Sequence, residues 1–79
     1  MNMRRVVPIR RELSPRELQV ARLIAHGQTN RQIAAATGIS ERTVDTHVGR
    51  ILRKLDVVNR AQIASWITLR MGRGLLNAR

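Results

Sequence analysis

Four short polar residues, Ser14, Thr29, Ser40 and Asn59, each stand just before a stretch of helically spaced apolar residues. A side-chain oxygen at such a position accepts from a backbone N–H of the first turn, which has no partner inside the helix. Ser14-Pro15-Arg16-Glu17 is a capping box with proline at the first helical position. Leu18, Ala21 (with Val20), Ile24 and Ala25 follow at helical spacing, and Gly27 ends the segment. Thr29-Asn30-Arg31-Gln32 is a second box, opening a short helix with Ile33, Ala34 and Ala36 that Gly38 stops. Ser40 caps a third segment, in which Val44, Val48, Ile51, Leu52 and Leu55 make one apolar stripe. Asp56-Val57-Val58-Asn59 reads as a loop whose last residue caps a fourth helix, broken by Gly72-Arg73-Gly74. The pattern predicts an all-α fold of four helices, at about residues 15–26, 30–37, 41–55 and 60–71. No segment shows the period-two alternation of a strand.

Residues 30–37, Gly38-Ile39-Ser40 and 41–55 fit a helix-turn-helix unit in element lengths and in the glycine of the turn. The short turn fixes a steep angle between its helices, so the N-terminal half of the second helix can enter a major groove. The small Ala34 sits where the two helices would pack closely. Three parts result: a basic arm over 1–13, the helix-turn-helix domain over 14–71, and a tail over 72–79. The arm holds Arg4, Arg5, Arg10 and Arg11 against Glu12, and Pro8 biases Val7 to extended backbone.

Charge narrows the partner. Fifteen Lys and Arg oppose five Asp and Glu, a net charge of +10 at pH 7. Self-repulsion at that charge weakens a small fold, so the charge points to a polyanionic partner. The cations are almost all arginine, whose planar fork suits phosphates and base edges. One Trp and no Phe or Tyr argue against single-strand binders, which stack bases on aromatic rings, and against an RRM-type sheet. With no Cys and only His26 and His47, neither a metal site nor a cofactor is expected. An enzyme is not expected either: carboxylates are few, and there is no Gly-rich phosphate loop and no acid/base pair beside a nucleophile. No apolar run reaches the length of a membrane span, and no signal peptide is expected. The expected location is therefore the cytoplasm.

Leu13-Ser14-Pro15-Arg16-Glu17, the run from Ile24 to Ala34, Ile39-Ser40-Glu41-Arg42-Thr43-Val44, His47-Val48 and the run from Lys54 to Arg60 stand together in one register. In these stretches the chain resembles the LuxR/GerE-type DNA-binding domain of bacterial transcription regulators, over residues 13 to about 68. The resemblance implies a four-helix domain whose second and third helices read double-stranded DNA. It also implies a dimer joined through the fourth helix and a bacterial protein associated with the nucleoid. RNA polymerase is a further expected partner. The runner-up function is a protein-interaction adaptor or anti-regulator that keeps the same fold.

A rotation of 100° per residue sorts the third helix into faces. Val44, Val48, Ile51 and Leu55 face the core, and Arg42, Thr46, Gly49 and Arg53 lie opposite with Asp45 beside them. Arg42, Arg50, Arg53 and Lys54 are expected at phosphates or in the groove, with Arg42 best placed for a base edge. Thr43 is expected to touch the DNA backbone, and Thr46 to meet a thymine methyl or a base edge. Thr29, Asn30 and Arg31 open the second helix, where free N–H groups favour a phosphate oxygen. By resemblance, Arg60 is a backbone contact and His47 holds a position where the family commonly has His. Two residues depart from the family. Asp45 and Gly49 stand where basic readers are frequent. Asp45 can accept from cytosine N4 or pair with Arg42 one turn back. On the fourth helix, Ala64, Ile67 and Met71 form one stripe and Ile63, Trp66 and Arg70 its neighbour. With one stripe on the core, Ile63, Trp66, Ile67 and Arg70 are the expected dimer contacts.

Overall fold

The computed structural model describes residues 12–72. The expected arm and tail therefore lie outside the described residues, except at their inner ends. The described chain is all helical: α1 Pro15–Ala25, α2 Asn30–Thr37, α3 Glu41–Leu55 and α4 Arg60–Ile67, followed by a π-helical segment at Thr68–Gly72. No strand occurs among the described residues.

All four caps form as hydrogen bonds. The side chains of Ser14, Thr29, Ser40 and Asn59 accept from the backbone N–H of Glu17, Gln32, Thr43 and Gln62. In α1, α2 and α4 the third helical residue reaches back to the cap's own N–H, completing a capping box. The helix ends are closed by left-handed residues. Gly27 has φ 83°, and its N–H reaches the Ile24 carbonyl while that of Gln28 reaches Leu23. Gly38 has φ 75° and closes α2 on the Ala34 carbonyl. Asp56 does the same work for α3 at φ 57°, with its N–H on Arg53 and that of Val57 on Leu52.

The core is aliphatic. It comprises Val20, Ala21 and Ile24 of α1, Ile33 of α2, Val44, Ile51 and Leu55 of α3, and Ile63 and Ile67 of α4. Helix α1 packs on α3 and α4, and α2 packs on α3 across the Gly38 turn. Leu13 and Leu18 sit at the two positions of a hydrophobic staple, and both pack against the core.

Two expectations about the fourth helix are corrected. The α-helix ends at Ile67 rather than near Met71, and the chain continues to Gly72 in the wider π pairing. Apolar spacing cannot distinguish these two pairings, because both keep the backbone coiled in the same sense. Ile63 and Ile67 are not surface residues, at 0 % and 4 % exposure. The core-facing direction of α4 falls between the two apolar stripes and takes one isoleucine from each.

Candidate nucleic-acid interface

Helix α3 is held from one side and open on the other. Val44, Ile51 and Leu55 are buried and Val48 is half-buried. Arg42, Thr43, Asp45, Thr46, Arg50 and Arg53 are exposed. The side chains of Arg42, Arg50 and Arg53 make no hydrogen bond or ion pair among the described residues. Their guanidinium groups are thus available to a partner in an arc opposite the core. Two hydroxyls on the same helix are engaged locally. Thr46 Oγ1 donates to the Arg42 carbonyl at 3.2 Å, and Thr43 Oγ1 lies 2.9 Å from Ser40 Oγ. Gly49 lies between these residues, and a Cβ there would stand 3.8 Å from Arg53 Nη1.

At the start of α2 three expected site residues join in one chain of bonds. Arg60 Nη1 donates to Asn30 Oδ1 at 2.6 Å, and Asn30 Nδ2 donates to Asp45 Oδ1 at 2.6 Å. Arg60 Nη2 donates to the Gln28 carbonyl, also at 2.6 Å. Half-buried Arg60 is therefore a clamp on the turn before α2. Asp45 is tied to Asn30 and not to Arg42, which settles the pairing alternative raised by the sequence. Thr29 and Arg31 are exposed beside it, with the Thr29 hydroxyl engaged as the cap of α2.

Lys54 lies apart from the open arc. Its Nζ donates to Oε1 of Glu17 at 2.7 Å, on the α1 side of α3. Glu17 is buried at 3 % exposure, and the same oxygen accepts from the Ser14 backbone N–H at 2.9 Å. Burial pushes the Glu17 carboxyl up. The hydrogen bond from Lys54, the Ser14 N–H, the lysine charge and the Ser14 hydroxyl together outweigh it, and the carboxyl ends below its usual value of 4.5. His47 is half-buried on the same flank. Its Nδ1 is sealed from solvent without a partner, which leaves Nε2 to meet anything outside.

Sequence reasoning missed Glu17 as the holder of Lys54 and the Gln28 carbonyl as the holder of Arg60. Glu17 was legible as a capping-box residue, but its second bond spans 37 positions. Among the candidate dimer residues, Trp66 is half-buried and Arg70 is exposed, with the guanidinium 4.6 Å from the ring centroid. Leu69 beside them is 74 % exposed, and sequence reasoning did not single it out.

These helices, their glycine turn and the outward face of α3 define a helix-turn-helix domain. The family model for bacterial regulatory proteins of the luxR family (GerE) matches residues 11–67, and the chain belongs to that family. It is 51 % identical over 53 residues to the uncharacterized transcriptional regulatory protein YhcZ of Bacillus subtilis (strain 168), a match covering 67 % of this chain and 25 % of that protein. It is 47 % identical over 57 residues to the two-component response regulator PprB of Pseudomonas aeruginosa, covering 72 % of this chain and 21 % of PprB. It is 48 % identical over 50 residues to the response regulator protein VraR of Staphylococcus aureus (strain Mu3), covering 63 % and 24 %. The chain thus corresponds to about a quarter or less of the length of these relatives. Among the described residues, no group of three or more His, Cys, Asp or Glu could hold a metal, and no helix is long and apolar enough to cross a membrane.

Proposed function

We propose that this domain binds double-stranded DNA with sequence preference as part of a bacterial transcription regulator, with α3 in the major groove. The observation that carries this reading is the set of exposed, unpartnered guanidinium groups of Arg42, Arg50 and Arg53 on the side of α3 opposite its buried stripe. Arg42 and Thr46 lie in the N-terminal half of the helix, which in this motif reaches the base edges. Arg50 and Arg53 suit phosphates further along the groove, and Arg31 and Thr29 suit a phosphate at the start of α2. The names of the relatives, transcriptional regulatory protein and response regulator, agree with this reading.

The proposal includes a two-fold dimer through the outer side of α4 and the π-helical segment that follows it. Ile63 and Ile67 are committed to the core, so that contact rests on Trp66, Leu69 and Arg70.

Fluorescence anisotropy with a random-sequence duplex at several salt concentrations is the direct test. With about six phosphates neutralised per monomer, log K falls against log salt with a slope near −5. A flat response, or no binding at low salt, overturns the reading and leaves the protein-interaction adaptor in its place.

A further inference from the structure

The Arg60–Asn30–Asp45 chain ends in a carboxylate that no cation pairs among the described residues, on a helix face that is otherwise cationic. We propose that Asp45 reads a cytosine by accepting its major-groove amino proton, with Asn30 and Arg60 as positioning residues. The inference rests on duplex binding through α3.

The geometry fixes the acceptor. Arg60 Nη1 bonds Asn30 Oδ1, which decides the orientation of the amide and turns Nδ2 toward Asp45. The Arg60 side chain is in turn held on the Gln28 carbonyl. An ionised carboxylate has about four lone-pair sites and no proton to donate. Asn30 fills one of them, and the others stay open on an exposed residue. A tie between α2 and α3 needs no charge at this position, since a neutral amide would accept equally from Asn30. What the carboxylate adds is negative charge and purely accepting chemistry. Neither Arg60 nor Arg42 neutralises it directly, although Arg42 stands one turn earlier on the same helix.

Base chemistry then selects the target. In the major groove cytosine offers its N4 amino group with no acceptor on the same base. Adenine sets N7 beside its amino group, guanine shows N7 and O6, and thymine shows O4. A carboxylate is repelled by each of those acceptors. Asp45 is the fifth residue of α3 and lies in the half of the helix that enters the groove. Repulsion from phosphates is offset by the free cations at Arg42, Arg50 and Arg53 on the same helix.

The test selects duplexes from a random pool with the native protein, Asp45→Asn and Asn30→Ala, and then alters the selected duplex chemically. Replacing the preferred cytosine by N4-methylcytosine removes the major-groove proton and keeps the Watson–Crick pair. The native protein is expected to fix a C·G pair at one position per half-site and to lose about tenfold in affinity on methylation. Asp45→Asn keeps an acceptor for Asn30, shifts the preference toward adenine and ignores the methyl group. Asn30→Ala releases the Asp45 carboxylate from its tie and flattens the preference at that position. An identical base profile for Asp45→Asn, or indifference of the native protein to N4-methylation, sinks the Asp45 assignment and leaves duplex binding standing. Absence of duplex binding by the native protein sinks the function beneath it instead.

Discussion

Lys54 Nζ meets Glu17 Oε1 at 2.7 Å and joins the C-terminal end of α3 to the first turn of α1. The Glu17 carboxyl is lowered below its ordinary value, so its ionised form is favoured in the folded chain. Its contribution is present above the unfolded value of 4.5 and is lost as the pH falls through the lower folded value. Glu17→Gln keeps the capping box, since glutamine accepts from Ser14 N–H in the same way. It is expected to cost about 1–2 kcal/mol at pH 7 and progressively less below pH 4.5, measured by urea unfolding. Lys54→Met costs more than Glu17→Gln at pH 7, because it leaves a buried carboxylate without its cation. Equal costs at pH 7 and pH 3 for Glu17→Gln would show that the pair adds no electrostatic stability.

Asp56 closes α3 in a left-handed conformation, φ 57°, in which Gly27 and Gly38 close α1 and α2. An aspartate tolerates that region better than most residues, yet its Cβ still meets the following carbonyl. Asp56→Gly removes the strain and enlarges the freedom of the unfolded chain, and the two effects oppose. The expected balance is a gain of about 0.5–1 kcal/mol. Asp56→Ala, which has neither the glycine backbone nor the polar side chain, is expected to lose stability. Urea midpoints of the three proteins at one pH decide it, and an Ala variant as stable as the Gly variant refutes the strain.

The caps at Ser14, Thr29, Ser40 and Asn59 were all legible, because each is a hydrogen bond across three residues. The inward stripe of α3 was legible for a similar reason, since its spacing alone gives the face. On α4 the same reasoning failed. Two neighbouring stripes are apolar there, and only the placement of α1 and α3 selects the direction that buries Ile63 with Ile67. The bonds Glu17–Lys54, Asn30–Arg60 and Asn30–Asp45 join residues 37, 30 and 15 positions apart. No local pattern encodes such pairs. Lys54 and Arg60 therefore read from sequence as further free cations, while the fold engages both within the domain.

Gly49 lies inside α3, where glycine is about 1 kcal/mol less favourable than alanine. The nearest atom to a Cβ at this position would be Arg53 Nη1 at 3.8 Å, an ordinary contact. The fold itself thus gives no steric reason for glycine. Gly49→Ala is expected to stabilise the domain by about 1 kcal/mol, a rise of roughly 4–8 °C in Tm. Affinity for a selected duplex is expected to fall at the same time, if the added methyl group stands on the face proposed to enter the groove. Higher Tm with undiminished affinity would place Gly49 away from the DNA.

Ile63 and Trp66 separate the core packing of α4 from the dimer contact proposed for it. Ile63 is fully buried among residues from α1 and α3, so Ile63→Ala creates a cavity and is expected to cost about 2–4 kcal/mol. For a domain of this size that is a fall of roughly 8–32 °C in Tm. Trp66 is half-buried and carries the Arg70 guanidinium 4.6 Å above its ring, with exposed Leu69 beside it. Trp66→Ala removes part of that outer surface and only the inner edge of the core. Its main effect is expected on cooperative binding to a duplex with two half-sites, by about tenfold, with a smaller loss of Tm than Ile63→Ala. Single-half-site affinity measures the monomer and is expected to stay unchanged. The opposite pattern, a collapse in Tm with cooperativity per folded molecule intact, would assign Trp66 to the core and move the two-fold contact elsewhere.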